Sequence, residues 1–283
     1  MTTAPPVIAA VDGSTHSREA LDWAAREAVR RGLPLVVAHA RTPAPESVQE
    51  TRRREAEELL TECVRRVSEI APGLHPTTLT PMDFPAAALT SLSRDASLVV
   101  VGSRGLGGFR SLLLGSDSMA VASMAKCPVV VVHGAPPEEE PGEAFQDVVA
   151  GVAADESSGA VLDFAFAAAA SRPGARLRIV HGWTMFSSMI SGGPVFDRDA
   201  AAAAAERTLA ELTAGRREKY PEVEVVREPI GGSASRALVT ASATAALTVV
   251  GRRRGGESLG LGLSPVAQTT LSHALGPVAV VPC

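Results

Sequence analysis

The sequence predicts two tandem α/β domains, each with a five-stranded parallel β-sheet covered by helices on both faces. Short apolar runs rich in β-branched residues, such as residues 98–101 and 129–132, alternate with longer segments of helical periodicity, which is the pattern of a parallel sheet. The same succession recurs in the second half of the 283-residue chain. Each copy then has roughly 140 residues, an ordinary domain size.

The first copy contains five predicted strands and four predicted helices in alternation. The strands are residues 7–11, 35–40, 77–80, 98–101 and 129–132, and the helices are residues 17–31, 47–70, 84–93 and 119–125. Gly32 is the expected breaker after the first helix, and Asp83 is the expected cap of the third. Parallel strands place their carboxyl ends at one edge of a sheet, where ligands bind. Because Asp12, Ala40 and Gly102 each follow such an end, the sequence predicts one cleft between them.

The second copy and the connection between the copies follow from the same pattern. Residues 148–153, 177–182, 223–227 and 247–250 are predicted strands before a final strand at Val278, and residues 200–220 and 233–242 are predicted helices. Residues 134–143 are rich in proline and glutamate, which predicts a stiff, solvated linker. The predicted boundaries are residues 1–134 for the first domain, 135–146 for the linker and 147–283 for the second domain.

Composition argues against several classes of function. The net charge of −4 and the aromatic content of 4% disfavour nucleic-acid binding, which needs a basic surface or aromatic stacking. Cys63, Cys127 and Cys283 are too scattered for a disulfide framework or a metal site, and the first two are expected to be small buried hydrophobic residues. No secretion signal is recognisable at residues 1–6, and no apolar run reaches the ~20 residues of a membrane span. We therefore expect a cytoplasmic protein without nucleic-acid or membrane partners.

The segment between the fourth strand and the last helix of the first copy carries the strongest chemical signal. Its pattern is Gly-x2-Gly-x9-Gly-Ser, and its defining residues are Gly102, Ser103, Arg104, Gly105, Gly115, Ser116, Asp117 and Ser118. Glycine permits positive φ and close approach of a ligand, and successive N–H groups with a helix N-terminus form a cradle for anions. Arg104 could meet a phosphate, and the serine hydroxyls could donate hydrogen bonds or cap the helix. The segment predicts a site for a phosphate chain rather than a solvated loop.

Two better-known phosphate loops do not fit this segment. A P-loop ends in Gly-Lys-Ser/Thr, whereas Ser116 follows Gly115 directly, and a dinucleotide fingerprint needs a third glycine where Arg110 stands. The glycine spacing, with an apolar strand before it and Lys-Cys-Pro-Val at residues 126–129 after it, resembles the ATP-binding universal stress protein family. The resemblance covers nearly the whole chain as two tandem copies.

The resemblance implies a Rossmann-like fold of the adenine nucleotide alpha hydrolase type, with ATP as the cofactor and Mg²⁺ on its phosphates. Asp12 would face the nucleoside, although it could also cap the first helix, and the backbone at Ala40 would touch adenine. Asp117 suits the site only if its charge points away from the phosphates or helps to hold Mg²⁺. No catalytic residue and no protein ligand to a metal are implied. The implied nucleotide contacts are Ala10, Val11, Asp12, Ala40, Gly102, Ser103, Arg104, Gly105, Gly115, Ser116, Asp117 and Ser118.

The second copy departs from the glycine pattern. Arg254 stands at the second glycine, and Ser264-Pro265 stands where the first copy has Gly115-Ser116. Proline has no N–H for a phosphate, although it suits the first turn of a helix. The arginines at 252–254 could form a solvated basic loop or pair with an anion. We take Asp155 as the match of Asp12 and expect it to cap a helix, so the sequence predicts one ATP per chain, in the first domain.

Several functions remain open at this point. The chain could be a regulatory protein in which ATP biases a conformation or a protein partner, a slow ATPase or nucleotidyl-transfer enzyme of the same fold, or an interaction module with a decayed site. His39 and His181, which end the second strands, are expected to pack and to make a backbone hydrogen bond. The last strands of the two copies have apolar edges, so we expect an intramolecular pseudo-dimer. Homodimerisation is left open.

Overall fold

The computed structural model describes residues 4–106, 114–133, 147–153, 155, 158–183, 198–252 and 262–283. The chain divides into two compact units, Met1–Ala135 and Pro136–Cys283. Each unit contains five strands and four helices among the residues that the structure describes. The predicted linker at residues 135–146 lies outside those residues.

Unit 1 is an alternating α/β unit with a wholly parallel sheet. Its strands follow the order β3-β2-β1-β4-β5. The elements are β1 Val7–Ala10, α1 Thr15–Arg31, β2 Leu35–Ala38, α2 Glu46–Ile70, β3 Thr77–Leu79, α3 Pro85–Leu92, β4 Leu98–Gly102, α4 Ser116–Met124 and β5 Val129–Val132.

Unit 2 repeats this architecture. Its strands are parallel in the order β8-β7-β6-β9-β10, so the predicted α/β class with two tandem parallel-sheet units is confirmed. The elements are β6 Val148–Gly151, α5 Ser158–Ala170, β7 Arg176–Trp183, α6 Arg198–Lys219, β8 Glu224–Gly231, α7 Ala234–Ser242, β9 Leu247–Arg252, α8 Pro265–His273 and β10 Val278–Pro282.

The order of the strands fixes where a ligand can enter unit 1. β1 pairs with β2 on one side and with β4 on the other. Successive strands are therefore added on one side of β1 up to β3 and on the opposite side from β4 onward. Every residue of β4 and β5 is buried, as expected for strands of a parallel sheet that is covered on both faces. Helices cannot cover the crevice at such a switch point, which therefore opens at the carboxyl ends of β1 and β4.

Several boundaries differ from the sequence-based expectation. The last helix of unit 1 begins at Ser116 rather than at residue 119, because Gly115 is its N-cap. Phe84, not Asp83, is the N-cap of α3; Asp83 Oδ1 instead accepts the Phe84 N–H at 2.7 Å. Gly32 ends α1 with a left-handed φ of 62°, in agreement with its expected role.

The two cysteines expected to be hydrophobic fillers are buried. Burial raises the pKa of Cys63 to about 11, with a further contribution from the charge of Glu62, and burial also raises the pKa of Cys127 to about 11. Both thiols are therefore almost fully protonated near neutral pH. Among the described helices, none is both long and apolar enough to cross a membrane.

Candidate functional site

The carboxyl ends of β1, β2 and β4 and the first turns of α3 and α4 surround a cleft of about 560 Å³. The structure brings all but one of the predicted contact residues to its wall: Ala10, Val11, Asp12, Ala40, Gly102, Arg104, Gly105, Gly115, Ser116, Asp117 and Ser118. Ser103 is the exception. It is buried and its peptide continues the β4 hydrogen bonds, with its N–H donating to Val132 O at 2.8 Å.

Asp12 lies in the wall of the cleft, two residues beyond the end of β1. Its Oδ1 accepts the Ser14 N–H at 3.0 Å and its Oδ2 accepts the Leu106 N–H at 2.9 Å. Burial raises the pKa of Asp12, but hydrogen bonds from Ser14, Leu106 and Ser17 outweigh it and hold the pKa below its ordinary value. Asp12 is therefore an ionised carboxylate that is fixed in orientation and can accept further hydrogen bonds. Ser14, not Asp12, caps α1, since its side chain accepts the Ser17 N–H.

The N-terminus of α4 opens into the cleft without a side-chain cap. Its N-cap is Gly115, which has no side chain to accept a hydrogen bond. The first N–H bonded within the helix is that of Met119, to Gly115 O at 3.0 Å. The preceding N–H groups of Ser116, Asp117 and Ser118 thus have no acceptor inside the helix, and all three residues line the cleft. This end carries the positive pole of the helix dipole and suits an anion.

The two serines of this turn have different roles. Ser118 Oγ donates to Gly102 O at 2.7 Å, so its hydroxyl ties α4 to the end of β4 and neither caps the helix nor remains available to a ligand. The Ser116 hydroxyl is not part of this hydrogen bond between α4 and β4. In the described part of the chain, the buried Nε of Arg104 has no hydrogen-bond partner. An anion beside Arg104 would supply one.

Gly102 and Gly105 permit close packing rather than positive φ, which corrects the sequence-based argument. None of Gly102, Gly105 and Gly115 has a positive φ, and Gly115 has φ −73°. A Cβ on Gly102 would lie 2.7 Å from the backbone of His16, so this glycine lets α1 approach β4. A Cβ on Gly105 would lie 2.5 Å from Asp12 Oδ2. Glycine is needed there because the backbone passes directly over the carboxylate.

Residues from the end of β2 and from α3 form a largely apolar part of the cleft wall that the sequence only partly predicted. Ala38, His39, Pro85 and Leu89 line it together with Ala40. His39 Nδ1 lies 2.8 Å from Val11 O, and His181 Nδ1 lies 3.1 Å from Val152 O, as expected for both histidines. The N–H groups of His39 and Arg41 bond to Leu79 and Pro81 on the β3 side. The intervening peptide edge of Ala40 therefore faces away from β3, on the side of the cleft.

Strand register shows that Asp155 is not the counterpart of Asp12. Val7 pairs with Leu35 and Leu98, and Val148 pairs with Leu177 and Leu247 in the same way. Val7 and Val148 are thus equivalent, and counting five residues onward from each matches Asp12 with Ala153. Asp155 takes the place of the helix cap Ser14. Unit 2 has no carboxylate at the position of Asp12.

The helix end of unit 2 is also changed. Register matches Leu98 with Leu247, and the same offset matches Gly115 with Ser264, which are both N-caps. Ser264 Oγ accepts the Ala267 N–H at 3.1 Å, and Pro265 occupies the position of Ser116. Pro265 therefore supplies no N–H donor in this turn, and the Ala267 N–H already donates to the Ser264 side chain. The cleft of unit 2 is smaller, about 380 Å³.

Of the three arginines predicted to lie in the second loop, the structure describes Arg252 alone. Arg252 is buried at 9% exposure, so it does not belong to a solvated basic loop. Arg253 and Arg254 lie outside the described residues. In the parts of both units that the structure describes, no three His, Cys, Asp or Glu side chains come together to hold a metal ion.

Comparison with known proteins assigns the chain to a family. The sequence profile of the universal stress protein family matches residues 5–133 and 144–282. A universal stress protein of Mycobacterium tuberculosis is 33% identical over 287 aligned residues, which cover 97% of this chain and 95% of that protein. A universal stress protein from Archaeoglobus fulgidus shares the fold over 98% of both chains, with a TM-score of 0.73 and 18% identity. One solved in complex with cAMP matches 47% of this chain and 100% of its own, at 26% identity and a TM-score of 0.40.

Proposed function

Because the chain belongs to the universal stress protein family, we propose that it is a regulatory protein whose first unit binds an adenine nucleotide, with ATP and Mg²⁺ as the ligand. One observation carries the proposal: an ionised, oriented carboxylate and an uncapped helix N-terminus face the same cleft. A nucleotide has the complementary groups, since it joins ribose hydroxyl donors to a phosphate anion. Unit 2 is proposed not to share this role: Asp155 lines its cleft, but Ala153 stands at the position of Asp12, and the Ser264 side chain caps the equivalent helix.

Ribose is assigned to Asp12. Each carboxylate oxygen already accepts one backbone N–H and retains a lone pair for a further donor. Because the carboxylate is ionised, its environment repels phosphate and attracts hydroxyl groups. Hydrogen bonds to a charged acceptor are about twice as strong as neutral ones. The ribose therefore has one preferred place, which orients the rest of the molecule.

The phosphates are assigned to the first turn of α4 and to Arg104. Three N–H groups without intrahelical acceptors, the helix dipole and an unpaired guanidinium Nε meet on that side of the cleft. Mg²⁺ would offset the negative charge of a triphosphate when it is bound. Asp117 lies in the same turn, lines the cleft and is exposed, so we assign it as the carboxylate that would meet such an ion.

Gly105→Ala tests the close approach of the loop to Asp12. We expect ATP affinity to fall by about tenfold or more, because the new Cβ would lie 2.5 Å from Asp12 Oδ2 and must displace the carboxylate or the loop. Gly115→Ala is the matched control, since its nearest contact would be Ser103 O at an ordinary 3.5 Å. Titration calorimetry measures both variants. Equal losses in the two would show that the approach to Asp12 is not what constrains the loop.

The proposed function itself is tested on the wild-type chain. Denaturing extraction of freshly purified protein, followed by chromatography, is expected to release an adenine nucleotide. After dialysis, ATP with Mg²⁺ should bind again in a calorimetric titration. Incubation with excess ATP should give no multiple-turnover release of phosphate, which separates a regulatory site from a slow ATPase. Absence of bound nucleotide and of any ATP binding heat would refute the proposal.

A further inference from the structure

We infer that His39 determines the base selectivity of the first cleft, by accepting a hydrogen bond through Nε2 from the 6-amino group of the purine. The inference rests on the proposed function, because it names which nucleotide that site prefers. His39 is not among the side chains assigned to the ribose or the phosphates.

The anchoring bond of His39 fixes its tautomer. Nδ1 lies 2.8 Å from Val11 O, and a carbonyl oxygen can only accept, so Nδ1 must carry the hydrogen. The neutral ring then presents a bare lone pair at Nε2. No described residue bonds to Nε2, whereas the ring is half-buried and lines the cleft. Water can donate to Nε2 when the cleft is solvated, and a bound molecule with an N–H group can take the place of that water.

The position of His39 places this acceptor at the base end. Its neighbours Ala38 and Ala40 both line the cleft, and Ala40 is the residue assigned to adenine by family resemblance. Asp12 and the α4 N-terminus occupy the ribose and phosphate sides. The donor that an adenine nucleotide offers at the base edge is its 6-amino group. Guanine and hypoxanthine carry a carbonyl oxygen at the same ring position, and its lone pairs would face that of Nε2.

Unit 2 provides an internal comparison. His181 makes the same anchoring contact, 3.1 Å from Val152 O, so the anchor belongs to the fold and is not specific to a ligand. However, β7 continues to Trp183 and pairs His181 with Pro229 of β8. Among the described residues that line the second cleft, His181 is not present. In unit 1, β2 ends at Ala38, and His39 lies just beyond the strand at the cleft wall.

His39→Asn separates the anchor from the acceptor. The asparagine amide can donate to Val11 O in place of Nδ1, but it places no acceptor where Nε2 stood. Titrations with ATP and with purine riboside triphosphate, which lacks the 6-amino group, give for each protein the ratio of ATP affinity to analogue affinity. We expect ATP to bind about tenfold more tightly than the analogue in the wild type. In His39→Asn, which has lost one buried hydrogen bond to the amino group, the preference should be about twofold. His181→Asn should keep the wild-type ratio.

A second measurement applies even if His39→Asn fails to fold. The ¹⁵N chemical shift of His39 Nε2 in the wild type should move upfield when ATP binds, and move less with the deamino analogue. An equal ratio in wild type and His39→Asn, an equal fall in His181→Asn, or a ¹⁵N shift that does not respond to ATP would overturn the inference. Failure of the wild type to bind ATP would overturn the proposed function as well, whereas normal ATP binding with an unchanged ratio overturns the role of His39 alone.

Discussion

Replacing Asp12 by alanine is expected to weaken ATP binding at least about 100-fold, the largest effect of any single change in the cleft. Two ribose hydroxyls donating to a charged acceptor contribute about 1.5–3 kcal/mol each, and about 1.4 kcal/mol corresponds to a factor of ten. Calorimetric or fluorescence titration of the variant measures the loss. Asp155→Ala is the matched control, because Asp155 occupies the cap position equivalent to Ser14 and should leave ATP affinity unchanged.

The Asp12 variant also loses contacts within the protein, so the ligand must be varied too. Asp12 holds the N–H groups of Ser14 and Leu106, and their release alone could disturb the cleft. Removing both ribose hydroxyls, as in 2′,3′-dideoxy-ATP, should cost affinity in the wild type but almost none in Asp12→Ala. If the dideoxy analogue is penalised equally in both proteins, Asp12 does not bind the ribose.

Ser116→Pro is expected to weaken ATP binding by about tenfold to 100-fold without unfolding the protein. The change removes the Ser116 N–H and its hydroxyl as donors to phosphate, and a hydrogen bond to a charged group is worth about 1.5–3 kcal/mol. Proline fits the first position of a helix, and unit 2 already carries Pro265 at the equivalent place. Gly115 has φ −73° and ψ 149°, a conformation that a residue before proline prefers.

The nucleoside without phosphates is the control for Ser116→Pro. Adenosine does not reach the α4 N-terminus, so its affinity should be the same in the variant and in the wild type, and the melting temperature should also be kept. A parallel loss of adenosine and ATP affinity would indicate that the proline distorts the cleft as a whole. Undiminished ATP affinity would remove the α4 N-terminus from the phosphate site.

The alternation of elements could be predicted because it depends on local patterns. The buried strands β4 and β5 are short runs rich in β-branched residues, and α1 and α2 follow a helical period that the sequence displays. The placement of Asp12, Ala40 and the glycine loop around one cleft followed from topology, since parallel strands end at the same edge. These expectations need no knowledge of how side chains pack.

The errors arose where contacts join distant residues. Gly102 is required by the backbone of His16, and Gly105 by the carboxylate of Asp12, neither of which a local pattern reveals. Asp155 was matched with Asp12 because it is the nearest aspartate after the strand, whereas the strand register gives Ala153. The hydrogen bond from Leu106 to Asp12 spans 94 residues. Such contacts appear only once the strands are placed side by side.

The number of nucleotides bound per chain decides whether unit 1 alone holds the nucleotide. We assign the nucleotide to unit 1 because unit 2 has Ala153 in place of Asp12, Pro265 in place of Ser116, and Ser264 as a side-chain cap. Calorimetric titration of the full chain with ATP and Mg²⁺ should therefore give a stoichiometry near one, and Asp12→Ala should lose that site. A stoichiometry near two, or one site of undiminished affinity left in Asp12→Ala, would contradict the account.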